Sequence, residues 1–195
     1  SPVLRDTPET WRQIEKICEV IKRHGGRIDD DCGGHVHVGI DPVNHSKHRW
    51  RRLKRIIGNF EDMLYRLSRG DLTHLRSGAS RYAVSIGAAL RRLSDRRINI
   101  EENEGDEGIR RVAQVMDIRN SRYTSVNFAN LRSCGNPDSP KTVEFRCFNG
   151  SLTPSVIQTH VKVAVGIVDA ARAARANEEE TRRRGEMLRN YTYDA

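Results

Sequence analysis

Trp11, Ile14, Cys18 and Ile21 recur at three- to four-residue spacing behind the sequence DTPE, and Gly25 and Gly26 follow them. That spacing predicts an amphipathic helix stopped by glycine. Between Arg27 and Ile40 the period shortens to two, with His35 and His37 alternating against Val36 and Val38 and glycines interrupting at 33 and 34. A strand pair is expected there, both imidazoles on one face and both valines on the other. Asp41 and Pro42 end it. Trp50, Leu53, Ile56, Ile57, Phe60, Met63, Leu64 and Leu67 then mark a long helix whose outer face is strongly basic.

A second helix is predicted over about Ser80 to Leu93, and the acidic, glycine-bearing segment 99–108 reads as a surface loop. A short amphipathic stretch follows, with Ile109, Val112, Ala113 and Met116. Two further strands, 123–131 and 141–148, flank the turn-forming SCGNPDSP and can pair as a hairpin. Thr153 as N-cap and Pro154 at the first helical position open an apolar helix to about Ala176. The elements sum to an α+β domain over 1–176 with a small antiparallel sheet, followed by a charged tail at 177–195 that reads as a frayed surface helix.

The 195 residues suffice for one domain with a real core. Their 34 Lys and Arg against 26 Asp and Glu give a net charge of +8, which calls for a polyanionic partner to be considered but does not choose among nucleic acid, nucleotide and acidic peptide. Cys18, Cys32, Cys134 and Cys147 are widely spaced without a C-x-x-C pair, so neither a zinc knuckle nor a disulfide framework is indicated and reduced thiols in a cytoplasm are expected. The longest apolar run, VAVGIV at 163–168, is too short to span a bilayer, and the start of the chain has no charged-then-apolar signal pattern. A soluble, cytoplasmic protein without membrane contact is the expectation.

In KTVEFRCF, alternation sets Thr142, Glu144, Arg146 and Phe148 on one face and Val143, Phe145 and Cys147 on the other. Residues i and i+2 lie roughly 7 Å apart on a strand, so Glu144 can hold a cation while Arg146 reaches a phosphate or carboxylate bound to it. An exposed Glu/Arg ladder on an edge strand explains the same residues. His35 and His37 are open to two readings as well: neutral imidazoles on a common strand face are ordinary ligands of divalent metals or contacts of a nucleotide, and taken singly each is more often a hydrogen-bonded, half-buried histidine. Gly33, Gly34 and Gly39 clear space for a ligand or another backbone. Ser125 and Asn127 form a third polar strand face, preceded by Arg122, whose rigid fork suits carboxylate or phosphate.

Taken together, SPVL at the start, GGRIDDDCGGHVHVGID, SRYTSVNFANL and KTVEFRCFNGSLTP resemble in order and spacing the amidoligase family of the glutamine synthetase and carboxylate-amine ligase superfamily. The resemblance runs to about Ala173. It implies an antiparallel sheet of the glutamine synthetase catalytic-domain type, packed on one face by helices, and an ATP- and Mg²⁺- (or Mn²⁺-) dependent enzyme. Such an enzyme activates a carboxylate as an acyl phosphate and condenses it with an amine. By position, it implies that His35 and Glu144 hold metal, that His35, His37 and Arg146 meet the nucleotide, that Arg146 and Arg122 are catalytic, and that Asn127 contacts substrate.

Family members carry an E-x-E strand ahead of the SPVL-like segment, and no such strand is found downstream here. The expectation is therefore the C-terminal portion of a longer ligase, inactive or nearly so by itself, acting on a peptide or amino-acid carboxylate and an amine. A non-catalytic remnant of the same fold that binds nucleotide or peptide is the first alternative. The second is a nucleic-acid-binding module using the basic helix at 45–55, against which stands the absence of a recognition motif. No specific nucleic-acid partner is expected, and the oligomeric state stays open.

Overall fold

The computed structural model describes residues 3–29, 31–43, 46–69, 79–101 and 104–172. The charged tail at 177–195 and the end of the predicted last helix lie outside the described residues. Helix α1 spans Pro8–Arg23 and begins on Thr7, whose side chain accepts from the Thr10 amide; Gly25 at φ +79 follows its end. Strand β1 is Gly33–Gly39, α2 Lys47–Arg69, α3 Ala79–Tyr82 and α4 Gly87–Arg92. Then come α5 at Gly105–Met116, β2 at Val126–Asn127, β3 at Thr142–Asn149 and α6 at Pro154–Arg172. Short 3₁₀ turns occupy Asp95–Arg97 and Ala129–Ser133. Among the described residues no helix is long and apolar enough to cross a membrane.

The expected α+β class with a small antiparallel sheet is present: three strands in the order β1-β3-β2, all neighbours antiparallel. Helix α2 packs on β3, α4 and α6, and α6 on β1, so the valine face of the sheet is covered. Trp50, Leu53 and Ile57 of α2 meet Val143 and Phe145 of β3 in one core with Ile109, Val112 and Met116 of α5, all of them fully buried. Each large apolar side chain so buried is worth about 1.5–3 kcal/mol relative to exposure. The outer parts of two predicted apolar stripes stay in solvent. On α1 only Cys18 is buried, and Phe60, Met63 and Leu67 of α2 are exposed.

Several expectations are corrected. Among the described residues, 27–29, 31 and 32 form no strand, leaving β1 alone where a pair was expected. The predicted helix over Ser80 to Leu93 is two short helices, broken where Val84 leaves the helical path to bridge Thr124. The acidic loop ends at Glu104, and Gly105 already belongs to α5. Of 123–131, only Val126–Asn127 pairs as strand before the chain tightens into a 3₁₀ turn.

Phe148 does not share the face of Glu144. Between Gly34↔Phe148 and Val36↔Phe145, two steps along β1 meet three along β3, and the Arg146 and Cys147 amides both donate to the Ser125 carbonyl, at 2.7 and 3.1 Å. This is a β-bulge at Arg146–Cys147, which restarts the alternation. Phe148 therefore turns inward and stacks on the buried His160 of α6 at 4.5 Å. Burial lowers the His160 pKa and so favours its neutral form.

The basic helix is also not a free charged face. Arg49 donates to the Pro42 carbonyl, Arg51 to those of Asp95 and Ile98, and Arg52 to those of Ala171 and Arg172 at the end of α6. Lys54, 5 % exposed, holds the Leu93 carbonyl and Asp95, which Arg55 also engages. Lys54 on the Leu93 carbonyl caps the end of α4, where the helix dipole also favours positive charge, and the other cations take carbonyls of neighbouring segments. Arg52→Ala is accordingly expected to destabilise the chain by about 1–2 kcal/mol, read as a shift of the urea midpoint with unchanged m-value.

Candidate functional site

The site is assembled by antiparallel register. His37 of β1 and Asn127 of β2 both lie opposite Glu144 of β3, and residues opposite one another share a face. His35 reaches the same place across the bulge. Glu144 is the centre: its Oε1 lies 2.8 Å from an Arg146 guanidinium nitrogen, 3.2 Å from His35 Nδ1 and 3.6 Å from His37 Nε2. Its Oε2 accepts from Asn127 Nδ2 at 3.0 Å. The carboxylate and guanidinium are nearly buried, with side chains 9 % and 12 % exposed, while His35 at 39 % and His37 at 47 % open the face to solvent.

Burial pushes the Glu144 carboxyl up, but the hydrogen bond from His35 and the charges of Arg146, His37 and His35 outweigh it and hold its pKa below the usual glutamate value. Asn127 is spent on protein partners. Its amide nitrogen also donates to the Arg122 carbonyl, and its oxygen accepts from the Ala129 amide at 2.7 Å. Thus Asn127 fixes one oxygen of Glu144 and ties the 3₁₀ turn to the strand.

The predicted residues His35, His37, Glu144, Arg146 and Asn127 are brought together. Arg122 stands outside the sheet on the exposed approach to β2, its guanidinium 5.2 Å from the centre of the Tyr123 ring and hydrogen-bonded to the Tyr123 hydroxyl at 3.2 Å. Arg146 approaches the same ring at 5.6 Å. The hydrogen bond and charge of Arg122, with the charge of Arg146, lower the Tyr123 pKa. Tyr82 meets Tyr123 edge to face at 5.9 Å, and Arg81 lies over Tyr82. An aromatic and guanidinium rim therefore flanks the carboxylate hub, suited to attracting and orienting an anion.

Sequence reasoning missed Asn130, Tyr123 and Ser125's true direction. Asn130 donates to Thr142 Oγ1 at 3.0 Å and lies 3.2 Å from His37 Nδ1, because the chain coils at Ala129–Ser133 instead of continuing as strand. Ser125 is fully buried, and its hydroxyl donates to Glu61 of α2, away from the site.

As it stands the donor set does not make a magnesium cage. A hard cation wants several oxygens, whereas here one carboxylate has both oxygens engaged by N–H donors and its companions are imidazoles. Among the described residues no group of three or more His, Cys, Asp or Glu side chains is placed to hold a metal ion. A 580 Å³ cleft between α2 and α4, lined by Lys54, Arg55, Arg91 and Arg92 with Asp95, shares no residue with this face.

Sheet and site define an α+β fold whose open antiparallel sheet carries a polar, partly exposed face flanked by arginines on the Tyr82–Tyr123 side. The family model described as "Putative amidoligase enzyme" matches residues 1–168, and the chain belongs to this family. No curated protein and no solved structure matches it. The family's description is that of an enzyme forming amide bonds.

Proposed function

We propose that the chain works as an ATP- and Mg²⁺-dependent carboxylate-amine ligase on a peptide or amino-acid carboxylate. The observation that carries this reading is the convergence of His35, His37, Glu144 and Arg146 on one open sheet face in a member of an amidoligase family. In such a reaction a substrate carboxylate oxygen attacks the γ-phosphorus, ADP leaves, and the amine nitrogen then attacks the acyl carbon, releasing phosphate and a proton. The protein's task is positioning and charge stabilisation. Arg146 supplies fixed donors to the transferring phosphoryl group. Arg122, on the rim, meets the carboxylate or phosphate oxygens entering past Tyr123. His35 and His37 face the nucleotide phosphates, and Asn127 acts on substrate through the Glu144 it holds. Glu144 and His35 would be this chain's nearest donors to a magnesium ion carried on the ATP phosphates, which would neutralise phosphate charge and would need further oxygens from outside this set.

One observation favours a second reading, binding without ligation: among the described residues the site has a single carboxylate, where paired phosphates call for more than one cation. Calorimetry separates both readings from neither. ATP is expected to bind more tightly with Mg²⁺ than without, whereas equal affinity in the two conditions contradicts a metal-nucleotide site. ADP release coupled to amide formation then divides ligase from binding remnant.

A further inference from the structure

We propose that Glu61 is a positioning residue for Arg146: its buried carboxylate fixes, through Ser125 and the segment 84–87, where the guanidinium sits on the polar sheet face. The purpose of that positioning rests on the phosphate-binding task given to Arg146 above.

Glu61 lies in the middle of α2 and is 2 % exposed. Four donors from two other parts of the chain converge on it. The Ser85 hydroxyl at 2.5 Å and the Gly87 amide at 2.6 Å donate to Oε2, while the Ile86 amide at 2.8 Å and the Ser125 hydroxyl donate to Oε1. Only an acceptor-only group can take all four. A glutamine in this place would turn an NH₂ toward the Ile86 or the Gly87 amide, which cannot accept, while the serine hydroxyl beside it would have to rotate from donor to acceptor. Gly87 is part of the same fit, since a Cβ there would stand 2.5 Å from Glu61 Oε2.

Both segments that Glu61 fastens go on to hold Arg146. The Ser125 carbonyl receives the Arg146 and Cys147 amides, so it sets the bulge that aims the Arg146 side chain. Segment 84–87 continues from Tyr82, whose carbonyl accepts from Arg146 Nε at 3.3 Å. The two segments are also tied to one another, the Val84 amide to the Tyr123 carbonyl at 2.8 Å and the Ser125 amide to the Val84 carbonyl at 2.9 Å. The main chain and the side chain of Arg146 are thus anchored to segments that meet at one carboxylate. A charge buried at this depth is costly without such partners, and a helix face that needed only packing would carry an apolar residue.

Hydrogen exchange at Arg146 Nε–H, measured by NMR with the signal assigned by its loss in Arg146→Lys, tests the proposal in the full chain. Glu61→Gln is expected to speed that exchange at least tenfold and Ser125→Ala to speed it less. Arg52→Ala, which loosens the far end of α6, is expected to leave it unchanged. A fall in melting temperature in Glu61→Gln with Arg146 exchange unaltered would reduce Glu61 to fold support and overturn the proposal. If Glu61→Gln does not fold, Ser125→Ala decides alone, unaltered exchange again overturning it. No nucleotide enters this measurement, so failure of the wild type to bind Mg·ATP would remove the ligase reading and leave the Arg146 result standing.

Discussion

Glu144→Gln is expected to lose the Mg²⁺-dependent part of ATP affinity and about 2 kcal/mol of stability, the scale of hydrogen bonds to a charged group. Glu144 is the point at which Arg146, His35, His37 and Asn127 meet, so neutralising it leaves a nearly buried guanidinium without its counter-charge. The cost stays below the roughly 3–5 kcal/mol of breaking a fully buried pair because Arg146 keeps the Tyr82 carbonyl. The pH dependence has a fixed sign. The Glu144 pKa is lowered in the folded chain from an ordinary 4.5, so its stabilisation is fully present above 4.5 and is lost as pH falls through the lower folded value. Urea titrations across that window should show the wild type losing its advantage over Glu144→Gln in acid. A constant difference at every pH would mean that the carboxylate charge does not hold the site.

Arg146→Ala is expected to weaken Mg·ATP binding by roughly a hundredfold, about 3 kcal/mol, as for truncation of a buried hydrogen-bonded charge. Arg146→Lys should recover stability in part and affinity hardly at all. The guanidinium uses its fork, one nitrogen on Glu144 at 2.8 Å and Nε on the Tyr82 carbonyl, and an ammonium cannot span both. Calorimetry of both variants at one ionic strength checks this. Lysine restoring full affinity would reduce Arg146 to a point charge.

What the sequence made legible follows the period of two. His35 and His37 on one face, and Glu144 with Arg146 on another strand's equivalent face, could be read because alternation is local. That the two faces are one depended on register, which matching alternation suggests but does not fix, and which the pairing of His37 with Glu144 supplies. The bulge left no mark, since Arg146 and Cys147 look like any strand pair, and Phe148 was therefore assigned to the wrong face. Asn130 was hidden by a 3₁₀ turn inside what reads as a strand. The arginines of α2 looked like a solvated face because their carbonyl partners, such as those of Ala171 and Arg172, lie up to 120 residues away. Glu61 did leave a signal: it stands four residues after Ile57 and three before Leu64, on the buried stripe of α2, where a carboxylate demands partners.

The central claim is that nucleotide binds on the sheet face around Glu144. Paramagnetic broadening by Mn·ATP tests it most directly, because the ion reports its distance to each imidazole. His35 and His37 ring protons, assigned through His→Gln variants, should broaden at substoichiometric Mn·ATP, well before those of His24 on the end of α1 and His160 on α6. Broadening confined to His24 or His160, or none at saturation, would place the nucleotide elsewhere and contradict the account.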